Sequence, residues 1–149
     1  MRVIRKSKLT VLVLLTVSLA LSSCQDAESE RQMSVLRQLA SSMPRYSDFR
    51  QVISNDNYKT GSAIIILGYS SQSAWDDVNR FYSQTLLAKG WSVVPDEELR
   101  RSAIFHNEDR SEVVFRNGEY QIGIKLAREN DRGYKFMITY YWERPLFFR

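Results

Sequence analysis

Across 149 residues the chain has one cysteine, one histidine, three prolines and six glycines, and each scarcity removes a class of function. With Cys24 alone, no disulfide can close within the chain. With His106 alone, a Ser-His-Asp or Cys-His arrangement would have to be built on that residue, which stands among Asn107, Glu108 and Asp109 in a polar stretch that reads as a solvated loop. Zinc sites need several His or Cys ligands, and this composition does not supply them. The glycines form no phosphate-cradling loop, since Gly61 and Gly68 flank one apolar run without the Lys-Ser/Thr that such a loop carries. The acidic pairs Asp76-Asp77, Glu97-Glu98 and Glu108-Asp109 are adjacent residues, and neighbours on a strand point to opposite faces instead of across a cleft. A calcium site at Glu108, Asp109 and Glu112 lacks the glycine-bearing twelve-residue pattern. The expectation is a protein that is not an enzyme and needs no metal or cofactor.

What is present begins at the amino terminus. Arg2, Arg5, Lys6 and Lys8 precede an apolar run, Leu9 to Leu21, and then Ser22-Ser23-Cys24. A basic start, an apolar stretch of about 7–15 residues and a small-residue exit are the parts of a secretory signal. The run is shorter than the roughly 20 apolar residues of a membrane span. Leu21-Ser22-Ser23-Cys24 resembles the lipobox of bacterial lipoproteins: an aliphatic residue, two small residues and cysteine. The resemblance implies cleavage before Cys24, diacylglycerol on its thiol and, in many bacteria, acylation of the new amino terminus. Two or more acyl chains anchor stably where one does not. Gln25 in place of aspartate after the cysteine implies, by the same resemblance, an outer-membrane destination facing the periplasm in a Gram-negative host.

Cleavage would also change the charge. Four of the 21 Lys and Arg precede Cys24, which leaves 17 against 17 Asp and Glu. The formal +4 therefore belongs to the signal, and the mature chain lacks the basic footprint of a nucleic-acid binder.

Three segments follow: a signal over 1–23, a tether with a short amphipathic helix over 24–43, and a globular domain over 44–149. Met33, Leu36 and Ala40, with Val35 and Leu39 beside them, give the helix its apolar stripe, and Pro44 stops it. Ser62 to Tyr69 reads as a strand. Ala74 to Lys89 reads as the principal helix, with Ser73 and Asp76 as a capping box and Gly90 as its left-handed stop. Strands are expected over Trp91–Val94, Ser102–Phe105, Glu112–Arg116, Tyr120–Leu126 and Tyr134–Trp142. A charged turn covers Asp96–Arg100, and a type I′ hairpin turn falls at Asn117-Gly118. The expected fold class is α+β: one antiparallel sheet of five to six strands in the order β-α-β-β-β-β. One long helix covers one face, and the short helix precedes it.

Met43-Pro44-Arg45-Tyr46, then a strand, then Val78-x-x-Phe81-Tyr82 and Leu86-x-x-x-Gly90-Trp91, resembles a recurrent small exported domain with a P-x-Y-P start and a G-W exit. Ser47 departs from it, standing where the second proline belongs. The resemblance covers about half of the mature chain and implies fold and compartment but no activity.

The chain closes on Tyr140-Tyr141-Trp142-Glu143-Arg144-Pro145-Leu146-Phe147-Phe148-Arg149. Leu146, Phe147 and Phe148 fold back as a lid or form a patch for a partner, and the lid is favoured because exposed apolar patches are a liability. The sequence favours a membrane-anchored envelope lipoprotein that binds a protein partner. The alternative is a small-molecule carrier or sensor with a pocket between helix and sheet lined by Trp75, Tyr82 and Trp142. The candidate partner or ligand surface comprises Trp75, Tyr82, Tyr141, Trp142, Phe147 and Phe148.

Overall fold

The structure, a computed structural model, describes residues 27–100, 102, 104, 105, 111–127 and 133–144. The signal, Cys24, the loop at His106, Glu108 and Asp109, and residues 145–149 with Phe147 and Phe148 lie outside the described residues.

The chain is α+β, with a single six-stranded antiparallel sheet in the spatial order β1-β2-β6-β5-β4-β3. In chain order the elements are α1 (27–42), β1 (Arg50–Lys59), β2 (Ser62–Ser70), α2 (Trp75–Ala88), β3 (Ser92–Val93), α3 (Asp96–Leu99), β4 (Glu112–Asn117), β5 (Tyr120–Leu126) and β6 (Phe136–Glu143). Alternation along the strands sends one set of side chains to each face. Ala63, Ile65, Leu67 and Tyr69 of β2 join Ile122 and Ile124 of β5 and Phe136, Ile138, Tyr140 and Trp142 of β6 under the helices. Met33 and Leu36 of α1 and Val78, Tyr82 and Leu86 of α2 fill the same core.

Several expectations need correction. The helix side carries two helices, and α1 is longer than the 14 residues of α2, so it is not a short preface to one long helix. Strand β1 was not foreseen, so two strands, not one, precede α2. Its sequence, RQVISNDNYK, lacks an apolar stripe because β1 is an edge strand with no buried residue. Its backbone pairing with the apolar β2, through the turn at Gly61 (φ 82°), is what makes it a strand. The expected strand over Ser102–Phe105 is not one. The Ser102 hydroxyl accepts from the Ile104 and Phe105 N–H groups (3.2 and 3.1 Å), a local turn that takes those donors from any ladder. The charged turn at 96–100 contains the one-turn helix α3, with Asp96, Glu97 and Glu98 at its positive end.

The opposite face is covered in part as well. Val94, Leu99 and Phe105 pack there on Val114 and Tyr141, forming a second, smaller core. Helix α2 begins after Ala74 with no side-chain cap, so Ser73 does not close the expected capping box. Asp48 takes over this corner, accepting from the Ser71 hydroxyl (2.8 Å) and the Gln72 N–H (3.0 Å). The β4–β5 hairpin is present but shifted by one residue. Asn117 pairs with Tyr120, leaving Gly118 (φ 59°) and Glu119 as the turn. Glu119 is fixed there by the Trp142 indole, whose Nε1–H donates to it at 3.0 Å. Gly90 (φ 80°) ends α2 as expected.

Candidate functional site

The two helices do not fill the whole helix side of the sheet. Gln51, Ser54 and Asp56 of β1 stand opposite Tyr69, Leu67 and Ile65 in the register, so they share the helix side. They are polar and exposed. The bulge at Val52 resets the alternation between Gln51 and Ile53, which keeps the polar set on this side. The result is a cleft of about 660 Å³ between α1, the segment that follows it, and the sheet. That lies within the roughly 300–1,000 Å³ typical of small-molecule sites.

Ile65, Leu67 and Ile138 form the apolar floor, and the aromatic wall is Tyr69, Tyr82 and Tyr140. Across the mouth Arg37 of α1 donates from Nε (3.0 Å) and Nη2 (2.6 Å) to one carboxylate oxygen of Asp56. The pair is solvent-exposed, so it fixes the spacing of helix and edge strand more than it stabilises the fold. Arg45 places its guanidinium 5.9 Å from the centre of the Tyr69 ring, and no carboxylate pairs with it among the described residues.

The tyrosines differ in how their hydroxyls are used. The Tyr82 oxygen accepts from the Tyr46 N–H at 3.3 Å, leaving its own proton to be donated. Tyr140 is 1 % exposed and Tyr69 4 % exposed, yet neither hydroxyl has a hydrogen-bond partner among the described residues. No fully enclosed side-chain oxygen in those residues lacks a partner. Both hydroxyls therefore reach open space, and the cleft is the space their side chains line.

Burial raises all three phenols above the ordinary value of 10, against a smaller downward pull from Arg45: Tyr82 to about 12, Tyr69 upward, and Tyr140 far upward. They remain neutral donors across any physiological pH. The raised values also bear on stability. In the folded chain these groups keep their protons where the unfolded chain has lost them, so their contribution is complete below pH 10 and lost as pH climbs towards 12. In denaturant titrations across pH 8 to 12, stability is expected to fall above pH 10, less steeply in Tyr82→Phe. Equal slopes for the two proteins would contradict this.

Of the four described residues of the expected partner or ligand surface, Trp75, Tyr82, Tyr141 and Trp142, only Tyr82 lines the cleft. Trp75 is half-buried at the start of α2 and stacks on Phe136, with centroids 6.5 Å apart. Trp142 is sealed in the main core, and Tyr141 points to the other face, edge-on to Phe105. These four side chains thus do not form one surface. Tyr69, Tyr140, Arg37 and Arg45 were missed. The two tyrosines share the phase of the buried aliphatic residues, and alternation cannot tell a core side chain from one that lines a void. The described residues contain no group of three or more His, Cys, Asp or Glu able to hold a metal ion. Glu112 is buried 3.9 Å from Lys125, its register partner on β5. None of the described helices is long and apolar enough to cross a membrane. No protein-family model, curated protein or solved structure matches the chain.

Proposed function

We propose that this chain is a lipid-anchored protein of the bacterial cell envelope that works without catalysis, by holding a small ligand in the cleft between α1 and the sheet. The anchor rests on the basic-apolar start and the lipobox-like Leu21-Ser22-Ser23-Cys24. The binding role rests on one observation above all. Two tyrosine hydroxyls, on side chains more than nine-tenths buried, line a cleft of ligand size and have no hydrogen-bond partner among the described residues. Buried polar groups are normally hydrogen-bonded, and donors kept free at the wall of a void suit an incoming acceptor.

Two measurements test the two halves. For the anchor, wild type and Cys24→Ala are compared by intact mass and membrane fractionation. Wild type is expected in the membrane fraction, without residues 1–23 and with acyl mass added, and the variant without acyl mass. If both proteins keep the signal or both are soluble, the anchor is wrong. For the cleft, Ser54→Trp places an indole at the mouth from an exposed edge position. Native mass spectrometry of protein released from the envelope is expected to find a non-covalent small molecule on wild type, depleted in Ser54→Trp. Wild type free of any bound small molecule would sink this half.

A protein partner keeps one specific observation in its favour: β1 ends the sheet with ten residues, and no described strand pairs with its outer edge. A partner captured equally by wild type and Ser54→Trp would support that reading over the cleft.

A further inference from the structure

Taking the cleft as the binding site, the geometry points to a small organic anion as its ligand, with a carboxylate or phosphate monoester at Arg45, Tyr69 and Tyr140 and an apolar body over Ile65, Leu67 and Ile138. Three features of the cleft converge on that chemistry. The first is charge: Arg45 is exposed and has no carboxylate partner among the described residues, while the other arginine of the cleft, Arg37, is already held by Asp56. An arginine fork matches the two oxygens of a carboxylate or phosphate, and such charge-assisted bonds are the strong ones.

The second is donor character. The Tyr69 and Tyr140 hydroxyls have no acceptor among the described residues, and the Tyr82 oxygen already receives the Tyr46 N–H, so it too has a proton to give. Burial keeps these phenols protonated, and Arg45 acts electrostatically on all three. A neutral ligand would satisfy the hydroxyls but leave the guanidinium, which stands over the Tyr69 ring, without an anionic partner. An anion satisfies both. A cation would meet Arg45 as a like charge.

The third is the floor. Ile65, Leu67 and Ile138 offer hydrocarbon directly beside the acid-binding corner, which an inorganic ion would leave uncovered. Gln51 and Ser54 edge the floor on the β1 side, so the body can end in a polar group there.

The probes are octanoate, octyl phosphate and neutral octanol. Each is titrated by calorimetry into the full chain in phosphatidylcholine nanodiscs, with empty nanodiscs subtracted, for wild type, Arg45→Gln and Tyr140→Phe. Tyr140→Phe keeps the ring and loses only the hydroxyl, Arg45→Gln removes the charge at an exposed position, and unchanged thermal midpoints confirm that each variant is folded. Saturable binding of either anion, weakened at least tenfold in Arg45→Gln and measurably in Tyr140→Phe, with octanol much weaker, is the expected result. Octanoate ahead of octyl phosphate identifies a carboxylate ligand, and the reverse order a phosphate monoester. Octanol binding as well as the anions, unaffected by Arg45→Gln, would overturn the anion assignment while leaving the cleft as an apolar binding site. No saturable binding of any probe at millimolar concentration would also overturn it. The cleft itself then stands or falls on the Ser54→Trp comparison, which does not depend on ligand charge.

Discussion

Trp142→Ala is expected to destabilise the protein by about 3–5 kcal/mol, the range for emptying a large aromatic site in a core that cannot collapse. Trp142 is 1 % exposed on β6 and stands opposite Ala63 on one side and Tyr120 on the other. Ala63 is too small to close the void, and Tyr120 is held by its own hydrogen bond to Gln32 of α1 at 2.6 Å. The substitution also leaves Glu119 without its indole donor, so the β4–β5 turn loses its fastening to the core. Trp142→Phe separates the two effects. It keeps most of the packing, loses the hydrogen bond, and is expected to cost about 1–2 kcal/mol. Urea denaturation of the two variants checks this. A Trp142→Ala cost below 1 kcal/mol would mean that the indole is not a core residue.

The second large effect lies on the other face. Gly123 of β5 sits beneath the Phe105 ring, and a Cβ placed there would lie 2.8 Å from its Cδ1 and closer still to its Cε1. Phe105 is 1 % exposed and set edge-on to Tyr141, so moving the ring would disturb that packing. Gly123→Ala is therefore expected to cost about 1–3 kcal/mol or more by overpacking. Phe105→Ala alone is expected to cost about 3–5 kcal/mol. The combination is the sharper test. Once the ring is gone, the methyl at 123 has space, so the double variant should be no less stable than Phe105→Ala. That coupling has the sign of relieved strain. Strictly additive losses would show that the clash is not what penalises alanine at 123.

Gly123 also marks where the sequence was hard to read. It falls at a polar-phase position between Ile122 and Ile124, and alternation treats it as solvent-facing filler. In the fold it is the seat for a ring from a segment expected to be a strand. Central elements were legible because burial imposes a period: Ser62–Tyr69, Tyr120–Leu126 and Phe136–Glu143 carry their apolar phase in plain view, and α2 its stripe. Edge strand β1 was not, because its order comes from pairing with β2 and leaves no mark on its own side chains. The cleft was hidden for a related reason. It exists because Gln51, Ser54 and Asp56 decline to fill space next to a helix placed by residues elsewhere. A void of that kind is a property of two elements together and has no local signature. The aromatic residues that looked most available in the sequence, Trp75, Tyr141 and Trp142, went into packing, while Tyr69 and Tyr140, which looked like core, kept their hydroxyls for the void.

The start of α1 has a consequence for access. Among the described residues helix α1 is seen from residue 27, with Ser29 accepting from the Gly61 N–H at 3.0 Å and Met33 and Leu36 buried beneath it. Cys24 stands three positions before residue 27 in the chain, so the two lie at most about 10 Å apart. An acyl group on Cys24 would thus hold the domain against the bilayer by a short stalk at the Gly61 end, not let it drift on a string. The α1 residues at the cleft, Arg37, Ala40 and Ser41, come 10 to 14 residues later, about 15–21 Å along the helix axis. The opening would then be displaced along α1 from the end that carries the lipid. A visitor to it would arrive through water, and the protein would sample a thin layer of solvent above the membrane surface instead of the membrane itself.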